Sequence, residues 1–254
     1  MGVTVAVVSG KGGTGKTSVC AGVSIALAQG GARVLCIDCD VGLRNLDISL
    51  GMSDTGALSF LDISEGGYDL DRAPQHPDFP SLFFLTAPMN RPVEKIDVTA
   101  FTQMIRKARE EFDFIFLDAP AGVDAGFRLV SAAADRFLVV TGAGPAAVRD
   151  AARVGELLEL QGERDVRMIV NRVNKAMMSL LRLTIDDVMD RSGLPLIGIV
   201  LEDDDIPLAA ACNLPLVRFN KRAASITAYK KIAKRIQGLP EPTPCSSHSS
   251  VRET

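Results

Sequence analysis

The sequence predicts an α/β fold: a doubly wound, mostly parallel sheet with helices on both faces. Three observations carry that expectation. Short apolar, β-branched runs alternate with longer helical patterns along the whole chain. Most of these runs are apolar throughout, as parallel strands covered on both faces require. The 254 residues, 47% of them hydrophobic, can bury the core of one large domain.

The first strand run spans residues 3–8 and is followed by a glycine-rich turn and a helical pattern over 16–29. The second run, 34–37, leads into an acidic loop. Residues 73–92 carry five prolines, at 74, 77, 80, 88 and 92, and read as a loop around one strand at 82–85. A helix over 98–111 ends in charge before a strand at 114–117. Strands at 137–140, 168–170 and 196–200 follow, with helices at 146–160 and 180–191 between them. Residues 221–237 contain Lys221, Arg222, Lys230, Lys231, Lys234 and Arg235 but no acid. In the same stretch Ile226, Tyr229, Ile232, Ala233 and Ile236 fall at helical spacing, which predicts a last helix packed on the sheet with a solvated basic face. Residues 1–237 form the predicted domain. Residues 238–254, with three prolines and four serines, read as a disordered polar tail.

Composition excludes several classes. A net charge of −3 argues against a protein that binds nucleic acid through bulk positive charge. The absence of Trp and an aromatic content of 5% disfavour base-stacking platforms. His76 and His248 are the only histidines, too few for a three-His zinc site. The five cysteines are an odd, scattered set, which points to a reducing compartment. Cys36 and Cys39 form a Cys-x-x-Cys, but residues three apart on a strand face opposite ways, so packed thiols are expected instead of a redox or metal pair. No apolar run approaches a membrane span, no basic-then-apolar leader is present, and Ala6 breaks the myristoylation pattern. A cytoplasmic protein is expected.

The strongest motif is Gly10-Lys11-Gly12-Gly13-Thr14-Gly15-Lys16-Thr17, which satisfies the phosphate-loop pattern between a strand and a helix. Glycines allow backbone to approach phosphate closely, and a helix N-terminus offers free N–H groups and partial positive charge. Lys16 would reach the terminal phosphates and the Thr17 hydroxyl would ligate Mg2+; Ser18 completes the expected nucleotide-binding run. Lys11 is a second lysine within the loop, and two crowded cations fit best with polyphosphate between them.

The second motif is Asp38-Cys39-Asp40-Val41-Gly42-Leu43-Arg44-Asn45-Leu46-Asp47, directly after a strand. Carboxylates at strand C-termini lie where open α/β sheets bind ligands. Asp38 and Asp40 share a side if the strand continues. One would orient an attacking water and the other support the phosphate loop or the metal. The third motif is Phe114-Ile115-Phe116-Leu117-Asp118, a Walker-B-like strand end that brings Asp118 near Mg2+ through a water. The following 121–126 loop holds two glycines that would let it respond to a γ-phosphate.

On these motifs the chain resembles the MinD/ParA family of deviant Walker A P-loop ATPases, over residues 1–237 in order. The Lys11 placement is that family's mark. The Gly-Leu-Arg-Asn-Leu-Asp segment is similar to the septum-placing branch and lacks the Asp-x-Asp-Pro-Gln of the partition branch. The resemblance implies ATP and Mg2+ as cofactors, with Lys16 on β/γ-phosphate charge. It implies Thr17, Asp40 and Asp118 at the metal, and Asp40 orienting the attacking water. It implies Lys11 acting across an ATP-sandwiched homodimer, and Asn171 of Val170-Asn171-Arg172 at the adenine edge. Val148-Arg149-Asp150 matches a segment that meets partners in that branch.

The implied role is a slow, partner-stimulated ATPase switch in division-site placement, with division-inhibitor and activator proteins as partners. A flagellum- or cargo-positioning relative, or a nucleotide-binding scaffold with little hydrolysis, are the alternatives. Members of the branch end in a basic amphipathic helix that inserts into membrane, and residues 238–254 hold only Arg252, Leu239 and Val251 toward one. Peripheral contact with the inner face of the cell membrane therefore has no clear C-terminal anchor, and DNA is the less favoured surface.

Overall fold

The computed structural model describes residues 1–41, 43–53, 55, 58–89, 91–163 and 165–242. Among the described residues seven strands form one sheet: β1 (Val3–Val8), β2 (Val34–Asp38), β3 (Leu82–Leu85), β4 (Phe114–Asp118), β5 (Arg136–Thr141), β6 (Val166–Val173) and β7 (Leu196–Leu201). Their order is β3-β2-β4-β1-β5-β6-β7, and each neighbouring pair is parallel. This is the expected doubly wound arrangement.

Around the sheet run α1 (Lys16–Gln29), α2 (Leu46–Leu50), α3 (Phe60–Ser64), α4 (Val98–Glu111), α5 (Ala125–Ser131) and α6 (Pro145–Leu160). They are followed by α7 (Lys175–Leu180), α8 (Ile185–Ser192), α9 (Asp205–Ala211), α10 (Leu216–Phe219) and α11 (Ala224–Ile236). Strand alternation divides the core. Val5 and Val7 face a cluster with Val19 and Val23 of α1, Leu46 of α2 and Ile232 of α11. Ala6 and Val8 face the opposite cluster, with Phe60 of α3, Phe101 of α4, Phe127 of α5 and Val148 of α6. Cys36 lies in the first cluster and Cys39 in the second, both fully buried, so the packed-thiol expectation holds.

The last helix buries the five residues its spacing singled out: Ile226, Tyr229, Ile232, Ala233 and Ile236. Lys230, Lys231 and Lys234 stay exposed. One expected helix is corrected. Residues 180–191 are not continuous, because α7 ends at Leu180 and α8 starts at Ile185. Arg182 takes a left-handed backbone, with φ 52°, and Thr184 starts α8 with a reciprocal capping box to Asp187. A new N-cap outcompetes continuation of the apolar pattern. His76 is a packing residue: it is buried, its Nε2 lies 2.8 Å from the Leu50 carbonyl, and its Nδ1 accepts from the Asp78 N–H. Among the described residues, no helix is long and apolar enough to cross a membrane. Most of the expected polar tail, residues 243–254 with Cys245 and His248, lies outside the described residues.

Candidate nucleotide site

The topology sets the three motifs side by side. β1 stands at the centre of the sheet with β4 beside it and β2 beyond, so the turns leaving these strands converge at one edge. Residues 9–15 link β1 to α1. Gly13 and Gly15 take left-handed φ values of 78° and 81°. A Cβ on Gly15 would lie 2.2 Å from Asn171 Nδ2, so both the backbone angle and the space require glycine there. Gly15 caps α1 without any side-chain hydrogen bond, which leaves the first-turn N–H groups to the loop. Thr17 and Ser18, half-buried, stand in that first turn.

Lys16 and Asp118 meet at the centre. Lys16 Nζ donates to Asp118 Oδ1 at 3.1 Å, with side-chain exposures of 8% and 2%. Burial lowers the Lys16 ammonium pKa, but the Asp118 charge, their hydrogen bond and the Asp40 charge override it and leave the lysine above its usual range. Asp38 is level with Asp118 across the β2–β4 pairing. Burial first, and the Asp118 charge second, push the Asp38 carboxyl up to about 7, against the pull of backbone N–H donors from Asp40 and Leu46.

The acidic loop departs from the simplest reading. β2 ends at Asp38, so Asp40 does not continue an alternating strand. Asp38 itself turns the chain: its carboxylate accepts from the N–H groups of Asp40 at 2.9 Å and of Asn45 and Leu46 at 3.1 Å each. Asp38 is thus the brace of the loop, a role set by the turn that brings three backbone N–H groups to its carboxylate. Asp40 is left half-buried within electrostatic reach of Lys16 and Asp118. Burial raises its carboxyl pKa, Lys16 pulls it down, and the net direction is up. The Cys39 N–H donates to the Asp118 carbonyl at 2.9 Å, tying the β2 and β4 exits together.

Asn171 is buried at the rim. Its Nδ2 donates to the Thr14 carbonyl at 2.7 Å, holding the glycine loop. Its Oδ1 and the Thr14 Oγ1 are buried and, among the described residues, have no hydrogen-bond partner. Arg172, which sequence reasoning passed over, reaches the Gly13 carbonyl at 3.2 Å and pairs with Glu202. Its left-handed φ of 53° turns its side chain to the loop, and no sequence pattern announced that. Beside Gly15 and Asn171 opens a pocket bordered by Leu201, Asp203 and Ile206. Lys11 stands apart: it is exposed, and its Nζ lies 3.9 Å from Asp150 near the start of α6. So Lys16, Asp40, Asp118, Thr14, Thr17 and Asn171 converge, while Lys11 faces outward from the same loop.

A buried Thr14 hydroxyl that can donate, an uncapped helix start and one buried lysine suit a polyphosphate. Among the described residues no three His, Cys, Asp or Glu side chains converge on a metal position. That fits a Mg2+ held by a hydroxyl, a carboxylate and phosphate oxygens better than an all-protein metal cage.

A strand–glycine loop–helix with this lysine–aspartate pair defines a P-loop nucleotide-binding protein. The chain belongs to the CobQ/CobB/MinD/ParA nucleotide-binding family, whose domain matches residues 5–216, and within it to the MinD, septum site-determining, branch. It is 36% identical over 236 residues to the septum site-determining protein MinD of Synechocystis, covering 92% of this chain and 89% of that protein. Against MinD of Bacillus subtilis it is 35% identical over 243 residues, 94% of this chain and 90% of the relative. Among solved structures, the MinC:MinD cell division complex of Aquifex aeolicus superposes with a TM-score of 0.87 at 31% identity, covering 96% of this chain and 98% of that one. MinD of Pyrococcus horikoshii complexed with Mg-ADP gives a TM-score of 0.81 at 28% identity, over 93% and 96% of the two chains.

Proposed function

We propose that this protein is an ATP-dependent dimerising switch that hydrolyses ATP to ADP and phosphate in the placement of the division site. The observation that carries the reading is the buried Lys16–Asp118 pair at the mouth of the glycine loop. The likeness to MinD from Bacillus subtilis and to the Mg-ADP-bound archaeal structure supports it.

The glycine loop and the free N–H groups of α1 bind the phosphates. Lys16 would exchange Asp118 for β/γ-phosphate oxygens, which would free the Asp118 carboxylate to help hold Mg2+. Thr17, with Asp40 and Asp118 beside it, would hold Mg2+, which when bound neutralises phosphate charge. Asp40 orients the water whose oxygen bonds to the γ-phosphorus as the bond to the ADP oxygen breaks. Asn171 offers its free Oδ1 to the amino edge of adenine. Lys11, exposed, reaches the phosphates of a second copy and stabilises transition-state charge in trans. The Gly122 N–H donates to the Ser9 carbonyl, so the loop after β4 is tied to the phosphate loop and can report nucleotide state.

The partners of this reading are a division inhibitor, as in the MinC:MinD complex of Aquifex, and an activator of hydrolysis. The protein acts from the cytoplasm, with peripheral contact at the membrane as its working surface. Sedimentation with anionic liposomes and with DNA, each in ATP and in ADP, tests this. ATP-dependent pelleting with liposomes is expected; pelleting with DNA alone would overturn the surface assignment. Unchanged ATP binding and turnover in Lys16→Ala would overturn the whole reading.

A further inference from the structure

Two consecutive residues of β6, Asn171 and Arg172, reach two consecutive carbonyls of the glycine loop. Asn171 Nδ2 donates to the Thr14 carbonyl at 2.7 Å, and Arg172 Nη1 donates to the Gly13 carbonyl at 3.2 Å. Neighbours on a regular strand point to opposite faces, so one of the two should miss the loop. The β6–β7 register shifts between Val170 and Val173, and within that irregularity Arg172 takes its left-handed φ of 53°. A bulge re-aims a side chain, and this one brings both side chains to the loop. Packing does not account for the strained angle, because the Arg172 side chain is 60% exposed. The other arm of the guanidinium is pinned. Its Nη2 lies 3.4 Å from Glu202 Oε1, and Glu202 Oε2 accepts from Asn174 Nδ2 at 3.2 Å.

We propose that Arg172 is a positioning residue: with Asn171 it clamps the glycine loop so that the loop's N–H groups face an incoming phosphate. In a planar trans peptide the carbonyl and the N–H that follows it point opposite ways. Holding the Gly13 and Thr14 carbonyls toward β6 therefore turns the Thr14 and Gly15 N–H groups away from it. Gly13 and Gly15 are left-handed while Thr14 between them is not, an alternation that gathers successive N–H groups into an anion nest. A nest already fixed loses little freedom when phosphate arrives, so the clamp raises affinity for any polyphosphate, with or without a base. The arginine fork serves Gly13 and Glu202 at once, which the single nitrogen of a lysine does less well. The ligand of the clamp rests on the nucleotide reading above; the ordering of the loop does not.

The test titrates ADP and inorganic tripolyphosphate into the full chain, and measures NMR order parameters of the Thr14 and Gly15 N–H groups without ligand. Arg172→Ala meets the same left-handed cost as the arginine, so thermal melting should stay close to wild type. The variant should weaken both probes by the same factor, about fivefold, the scale of one partly exposed hydrogen bond. Both order parameters should fall. Arg172→Lys, which keeps a donor but not the fork, should recover part of each loss. A loss confined to ADP makes Arg172 a contact of the base and overturns the clamp. Affinities and order parameters equal to wild type overturn it as well. Arg172→Lys as weak as Arg172→Ala overturns the donor role. A wild type that binds neither probe, beside an Arg172→Ala that still loosens the two N–H groups, overturns the nucleotide reading and leaves the clamp standing.

Discussion

Lys16 Nζ lies 3.1 Å from Asp118 Oδ1, and the two side chains are almost closed to solvent. Removing one partner strands the other charge in the interior. Lys16→Met should therefore destabilise the fold by about 3–5 kcal/mol, and adding Asp118→Asn should return most of that loss. Urea unfolding of the single and double variants measures the cycle. Both variants should lose turnover. Additive destabilisation would mean that the pair is not coupled as its geometry indicates.

Gly15→Ala combines two faults, a left-handed backbone and a Cβ 2.2 Å from the Asn171 amide. The backbone angle alone costs about 1–2 kcal/mol. The clash displaces Asn171 from the Thr14 carbonyl and opens the loop. Nucleotide affinity should fall by at least about tenfold, since one charge-assisted loop contact is worth that much. Titration with a fluorescent ADP analogue reads it; an affinity within twofold of wild type would show that the loop tolerates the shift.

Much of this site was legible in the sequence, and the reasons differ by residue. Gly10 to Thr17 announce themselves because phosphate binding imposes residue types at fixed spacing. Asp118 was found by its place after an apolar strand. Asp38 was visible as an acid but not as a brace, because its role depends on three backbone N–H groups brought round by a turn. Arg172 was invisible, because its contact with Gly13 spans 159 residues and needs a left-handed φ. The strands and long helices followed from periodicity. The short helices α2, α3, α9 and α10 did not, since four to seven residues carry too little pattern to read.

His76 makes the fold sensitive to acid. Burial holds its pKa below the usual value, against the opposing effects of Leu50 and Asp78. The unfolded chain then binds more protons than the native one wherever pH lies between the depressed native value and about 6.5. Its contribution is present above about 6.5 and is lost as pH falls through the native value. The urea midpoint should drop more between pH 7.5 and 5 in wild type than in His76→Gln. Equal slopes would remove His76 as the cause.

Asp40 is half-buried beside the lysine, and among the described residues it is the Asp38 carboxylate, not that of Asp40, that braces the loop. Asp40→Ala should therefore leave nucleotide affinity within a few-fold and cut turnover by about a hundredfold or more, the range for loss of a positioned base. Phosphate release and ADP titration separate the two effects. A parallel loss of affinity would make Asp40 a binding group instead.

Lys11 is exposed and held only loosely, 3.9 Å from Asp150, so little ties it to its own site. If it serves the opposite copy, two dead variants should repair each other. In a mixture of Lys11→Ala and Asp40→Ala, the heterodimer pairs a Lys11→Ala site, which keeps its own Asp40, with a partner that supplies Lys11. That site is complete. The other site lacks both groups. Random pairing gives heterodimers in half of the dimers with one working site each, so the mixture should recover about a quarter of wild-type turnover. If Lys11 acted within its own chain, no site in the mixture would be whole and the activity would stay at the level of the separate variants.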